Sequence, residues 1–432
     1  MKALTYLPVE LNMDPLGAIF AVLTLVIFIA SGVFGIDYMK EAKHKKGYYV
    51  FYFLAFGAEL MLCAASNMIT FYLFYELLTL LSVPLVIHDR TREAKMAALK
   101  YLFYSMFGAY GALFGIYNVA KYADTLRFIP GGSIPDQAWT SDGRILLITA
   151  MAFIVGFGVK AGMWPMHGWL PSAHPVAPSP ASAVLSACIV KAGVLGIIRS
   201  LWYVMGTGHL KGSPVQSAFM ILALITVLMG SALAYAEPVL KKRLAYSTIS
   251  QVSYILFGLA VAISDLSAME GAVLHVYAHG FIKAALFLTA GAIIHHTGVT
   301  KVEDMRGIGL KMPFTMICYT IVSLGLIGIP PTGGFVSKWY LAIAALKSDI
   351  PVFGYLGPVI LLISALLTAG YLLRLSVIAF FPGDKYRQEH PDIKKEEPGL
   401  LMTIPIATLT LLSVLIGLFP DALIELVRLI FV

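Results

Sequence analysis

The sequence is poor in charge. Of its 432 residues only 13% are Asp, Glu, Lys or Arg, while 59% are hydrophobic; an ordinary soluble domain carries about 25% charged residues. A water-soluble globule of this size could not clothe itself with so few charges, and that class is excluded. Cysteine is scarcer still. Cys63, Cys188 and Cys318 each stand alone in an apolar segment, which rules out a disulfide framework and a CxxC-type metal or iron-sulfur site. The chain is therefore expected to bind no cofactor, with any redox centre held by another chain. Also missing are a phosphate loop, a nucleophile with a base at useful spacing and a heme-binding pair. Gly131 and Gly132, in a Pro-containing stretch, read as a turn and not as a phosphate cradle. A membrane enzyme is accordingly the least favoured class. The net charge is +7, yet no basic face exists. The Lys and Arg residues lie in short stretches between apolar runs, which argues for membrane topology and against nucleic acid.

What the sequence does have is apolar length. Crossing a hydrocarbon core of about 30 Å takes about 20 residues of helix, and such runs recur along the whole chain. Spans are predicted near 16–36, 48–67, 69–87, 100–120, 144–164, 178–204, 215–235, 242–263, 270–296, 314–347, 355–381 and 400–419. Because a bilayer offers no water to unpaired backbone groups, the fold class is an all-α, polytopic membrane helix bundle of about twelve helices. Glu10 and Asp14 precede the first run and no small-residue cleavage site follows it, so that run is expected to be a retained span and not a signal peptide. Eighteen Lys and Arg fall on one set of alternating loops (40–46, 90–100, 241–243, 301–311 and 385–395). Seven fall on the other, at Lys2, Lys121, Arg127, Arg144, Lys211, Lys347 and Arg428. The positive-inside rule then puts the basic loops in the cytoplasm and both termini outside a plasma membrane.

Helix breakers mark two spans at membrane depth. One group is Gly158, Gly162 and Pro165, and the other is Gly328, Pro330, Pro331, Gly333 and Gly334. Such breaks survive in a bilayer only where they line protein or a wet cavity, and corresponding interruptions in two halves of a transporter point to its ion path. Lys160 accompanies the first and Lys338 the second, which suggests two inverted repeats, about 48–204 and 214–382, followed by a final helix at 400–419.

Ionisable residues stand within six spans: Glu59, Glu76, Lys160, Lys191, the trio His275, His279 and Lys283, and Lys338. A Lys at a helix centre costs about 3 kcal/mol for insertion, and such residues mark ion pathways by default. Packing polars or snorkelling side chains are the plainer explanation. That explanation suits Arg374, applies to Glu59 as well as a functional one does, and accounts poorly for four lysines together. His275, His279 and Lys283 recur at i, i+4 and i+8 and so share one helix face. Two histidines at that spacing could ligate a metal, but no acidic or Cys partner shares the helix and an ammonium continues the stripe. A hydrated proton relay accommodates both, because histidine titrates near neutrality. Glu76 is the carboxylate deep in the third span. Opposite charges in a low-dielectric site hold each other ionised, so Glu76 and a lysine on another helix would form a switch.

Four stretches carry a resemblance: MWPMHGWLPSAHPVAPSPASAVLSACIVKAG (163–193), RLAYSTISQVSYILFGL (243–259), HVYAHGFIKAALFLTAGAIIHHTG (275–298) and LIGIPPTGGFVSKWYL (326–341). In this order they resemble the antiporter-like, proton-translocating subunits of respiratory complex I, of Mrp-type cation/proton antiporters and of membrane-bound hydrogenases. The resemblance implies that Glu76 is the family's membrane glutamate, Lys160 the lysine of its first broken helix and paired with Glu76, and Lys191 its central bridging residue. It further implies that His275, His279 and Lys283 form a connecting relay and that Lys338 is the terminal site. Three departures stand out. The run at 16–36 corresponds to the family's third helix, no long lateral carboxy-terminal helix is visible, and Ser186 replaces a histidine common near Lys191, where a Ser and water would serve.

The expected function is an ion-translocating subunit, moving H+ or Na+, in a multi-subunit, redox-driven complex of the complex I or hydrogenase kind. Its expected partners are other membrane subunits, peripheral redox subunits and lipid, with no nucleic acid. The alternative is a subunit of an Mrp-type Na+/H+ antiporter without a redox partner. A scaffold that has lost transport is a third class, and the intact lysines speak against it.

Overall fold

The computed structural model describes residues 9–390 and 393–431, so Lys2, counted above among the outer charges, lies outside the described residues. The helices that matter are α1 (Pro15–Tyr38), α2 (Lys45–Cys63), α3 (Met68–Val86), α4 (Arg92–Tyr122), α5 (Asp136–Lys160), α6 (Leu170–Val176) and α7 (Ser179–Met205). After them come α8 (Pro214–Ala236), α9 (Leu240–Ala262), α10 (Ser267–Thr297), α11 (Pro313–Ile327), α12 (Gly333–Lys347), α13 (Phe353–Phe380), α14 (Leu400–Leu418) and α15 (Asp421–Phe431). No strand occurs among the described residues; three isolated bridges tie loops. Nine of these helices are long and apolar enough to cross a membrane by themselves. The other three predicted spans correspond to α2, to α4 and to the pair α11–α12, whose two members have 15 residues each.

Local chemistry sets the ends. Asp14, Asn67 and Thr91 each accept a backbone N–H from the first turn of α1, α3 and α4, at 2.8, 2.8 and 3.1 Å, the usual way to satisfy an orphan donor at a helix start. Small residues set the packing. A Cβ on Gly108 of α4 would stand 2.5 Å from the Gly156 carbonyl of α5, so these two helices meet backbone to backbone, as membrane helices do at small-residue seams. Buried α7, α9 and α10 form the middle of the bundle, and the remaining helices surround them. α7 contains two π-helical stretches, Leu185–Ile189 and Arg199–Met205, a local widening often found at functional sites.

Both expected breaks are present, with different anatomy. The first interrupts the chain at Lys160. Gly162 takes φ +80°, and the chain resumes helix only over the seven residues of α6. The predicted span 144–164 thus starts eight residues too late and misses α6, because LPSAHPV carries two prolines and reads as loop. The second break falls at Gly328 (φ +96°) through Thr332, between α11 and α12. Counting each broken pair once, α2–α7 and α8–α13 hold five helical elements each, and the broken one is fourth in both.

Two features had no sequence-based expectation. α15 buries Leu423, Ile424 and Val427, spaced to share one face, and its Arg428 forms a two-pronged ion pair with Glu270 at 2.8 and 3.1 Å. Arg199 is buried within α7, yet binds the Asp14 carboxylate at 2.5 and 2.6 Å and lies over the Phe128 and Tyr203 rings. A bidentate pair of this kind joins strength to fixed geometry. It ties the start of α1 to the far end of α7.

Candidate ion pathway

At the first break Lys160 is fully buried and points at α3. Its Nζ donates to the Tyr75 carbonyl at 2.9 Å and to Thr79 Oγ1 at 2.7 Å, and it sits 3.8 Å from the centre of the Tyr75 ring. The expected ion pair between Glu76 and Lys160 is not formed. No salt bridge joins them among the described residues, and Glu76 Oε1 is buried without a protein partner. The geometric reason is register. Tyr75 and Thr79, one turn apart on α3, present a carbonyl and a hydroxyl to the ammonium, whereas Glu76, about 100° round the helix from Tyr75, stays beyond ion-pair distance though within electrostatic reach of Lys160. Glu59 of α2 is also buried with Oε2 unpartnered, and it lies within electrostatic reach of both Lys160 and Lys191. Its functional reading therefore gains a position, between the first break and the centre.

The centre is built on α7 and α10. Lys191 Nζ meets His279 Nδ1 at 2.7 Å and also donates to the Ser186 carbonyl at 3.0 Å. That carbonyl is reachable because the π-helical stretch at 185–189 loosens the backbone there. The Ser186 hydroxyl bonds Thr248 at 2.7 Å, so Ser186 contacts the lysine through its backbone and not through the side chain expected from the sequence. His279 and His275 follow one another along α10, their rings tilted by 31° with centres 6.1 Å apart and neither Nε2 holding a protein partner. One turn on, Lys283 donates to the Leu244 carbonyl at 3.0 Å and to Ser247 at 2.7 Å.

From His275 the polar line continues into the second break. His275 Nδ1 lies 2.8 Å from Ser337 Oγ, and the His275 ring is stacked on Tyr254 at 5.5 Å. Lys338, the neighbour of Ser337, is 4.8 Å from the same Tyr254 ring. Its Nζ donates to the Leu326 and Ile327 carbonyls at 2.5 and 3.1 Å. Those are orphan acceptors at the end of α11, left without an intrahelical partner by the break.

Thus Lys191, His279, His275 and Lys338 lie along one file, hydrogen-bonded from Lys191 to His279 and from His275 to Ser337, Lys283 adjoins it, and Lys160 with Glu76 stands apart at its first-half end. Among the breakers, Gly162 and Pro165 lie between α5 and α6, Pro330 and Pro331 between α11 and α12, and Gly333 opens α12. No group of three or more His, Cys, Asp or Glu placed to hold a metal occurs among the described residues. Arg199, His174 and Lys241, all buried, were not singled out in the sequence. The signal was present for Arg199, a charge inside a predicted span, whereas Lys241 was indistinguishable from a loop charge.

The comparisons with known proteins bear on this file. The family described as NADH:quinone oxidoreductase/Mrp antiporter, transmembrane, matches residues 65–368, most of the chain and all seven residues proposed for the path. The chain belongs to that family. It is 31% identical to NADH-quinone oxidoreductase subunit N of Desulforudis audaxviator, over 96% of this chain and 83% of that protein. It is also 31% identical to hydrogenase-4 component B of Escherichia coli, over 76% of this chain but only 50% of the relative. Among solved structures, one in the membrane-bound sulfane sulfur reductase, an archaeal respiratory membrane complex, superposes with a TM-score of 0.84 at 22% identity, covering 97% of this chain and 82% of that one. The family resemblance and the all-helical membrane fold read from the sequence are both met, and the protein is a polytopic integral membrane protein.

Proposed function

We propose that this chain is the ion-translocating subunit of a multi-subunit, redox-driven respiratory complex in the plasma membrane, with both termini outside and the basic loops in the cytoplasm. The observation that carries this reading is the polar file that runs from Lys191 through His279 and His275 to Ser337 and Lys338 of the second broken helix. Ionisable groups at membrane depth are costly to keep, and here they are strung along one line between two breaks. Glu76 and Lys160 act as the switch, Lys191, His275, His279 and Lys283 conduct, and Lys338 governs exchange at the far end. Electrons travel on peripheral partner subunits that hold iron-sulfur or other redox centres, and other membrane subunits flank this one. The coverage of subunit N, well above that of the hydrogenase component, supports a chain that serves as a single antiporter-like unit.

The test is translocation in vesicles holding the intact complex. Lys160→Ala and Glu76→Ala should each abolish it while assembly persists; unchanged translocation in both overturns the reading. A stand-alone cation/proton antiporter subunit is the second reading, favoured by the family's span of both types. Purifying the chain from its native membrane separates the two, since redox subunits accompany it only in the first case.

A further inference from the structure

One buried imidazole has no place in the path described so far. His174, on α6, is fully buried, and neither ring nitrogen has a protein partner. Its ring stacks on Phe287 at 4.6 Å, one helical turn beyond Lys283 on α10 towards the basic-loop face. On that side of it Lys241 is also buried, and its Nζ donates to the Ala177 carbonyl just past the end of α6. Lys241 in turn lines a pocket of about 190 Å³, whose wall includes His88, Asp89, Val176, Ala177 and Thr300. The register of α9 completes the line. Leu244 and Ser247, one and two turns past Lys241, are the residues that hold Lys283. His174 lies within electrostatic reach of both lysines.

We propose that this pocket is the proton entrance to the buried file: a proton taken up beside His88 and Asp89 passes through Lys241 and His174 to Lys283. The proposal rests on the ion-translocating reading and names both the ion and the door. Lys241 cycles between ammonium and amine. His174 accepts the proton at one ring nitrogen and releases one from the other, and a turn of the ring restores the starting tautomer before the next proton. The charge that leaves Lys241 is the charge that arrives at Lys283, so the step balances. A hard metal cation seeks free oxygen ligands, whereas between the pocket and Lys283 the ionisable side chains are two lysines and an imidazole, and the Ala177 and Leu244 carbonyls and the Ser247 hydroxyl are already engaged by those lysines; a proton is the cation that nitrogen bases carry. The opposing explanation is structural: Lys241 merely satisfies the Ala177 carbonyl and His174 merely packs on Phe287.

The experiment measures proton translocation by the intact complex in sodium-free vesicles. His174→Phe keeps a ring against Phe287, and Lys241→Arg keeps a donor for the carbonyl but a cation that does not deprotonate. Each variant should assemble and lose translocation by about a hundredfold, the size expected when a proton-transfer group is removed. A purely structural role predicts wild-type rates in both. Independently, a thiol introduced by Val176→Cys should be modified by a charged, membrane-impermeant thiol reagent from the basic-loop face alone, and modification should block translocation. Lys160→Ala serves as the reference. If it leaves translocation intact, the ion-translocating reading itself fails. If it abolishes translocation while His174→Phe and Lys241→Arg run at wild-type rates, or while Val176→Cys reacts only from the opposite face, the entrance alone is overturned.

Discussion

The two broken helices carry a lysine each, and the two lysines do different things. At the second break Lys338 spans its own gap, donating to the Leu326 and Ile327 carbonyls that the interruption set free. At the first break the Val159 carbonyl is met by two other donors, the Gly162 N–H at 3.1 Å and Trp169 Nε1 at 3.0 Å. Lys160 is thereby released to reach across to α3. Exposure follows the same division, since Lys160 is fully buried and Lys338 half-buried. A similar sequence device has thus produced one lysine that doubles as a splint and one that is free to respond to its surroundings.

Substitutions can break this comparison. The largest effect is expected at the free lysine. Lys160→Ala should stop ion translocation entirely while leaving the thermal transition of the purified protein close to wild type, because Thr79 already donates to the Tyr75 carbonyl at 3.2 Å and keeps it paired. Lys338→Ala should stop translocation and also destabilise the fold by about 1–3 kcal/mol, the cost of stranding buried acceptors; equal thermal transitions for the two variants would erase the distinction. Trp169→Phe should destabilise the first break by only about 1 kcal/mol, because the Gly162 N–H keeps the Val159 carbonyl paired, and should leave the translocation rate per folded complex unchanged. The smallest effect is expected from Thr79→Val, which removes one of the two acceptors of Lys160 and should cost about 1 kcal/mol, read as a modest fall in translocation with assembly intact.

Much of this architecture was legible in the sequence because lipid makes charge conspicuous. Lys160, Lys191, Lys283 and Lys338 announce themselves inside apolar runs, and glycine and proline announce the breaks. What remained hidden depended on register and on distance along the chain. Charge called only for some lysine opposite Glu76 and the resemblance supplied Lys160, whereas the helix positions reveal that Tyr75 and Thr79 face that lysine instead. Arg199 finds Asp14 across 185 residues. Lys241 sits at the start of α9, where a lysine is unremarkable, and α6 is too short and too rich in proline to read as helix.

The contact between Lys191 and His279 has an arithmetic of its own. Two nitrogens 2.7 Å apart share one hydrogen, and the same heavy-atom geometry serves whether the positive charge rests on the ammonium or on the imidazolium. The pair therefore holds one charge with two addresses and can pass it from one to the other with almost no displacement of atoms. A second proton leaves both partners as donors, with no lone pair between them, and the contact must open. For a proton travelling the proposed path such a site is a turnstile: it admits one charge at a time, and the arrival of the next is what compels the first to move on.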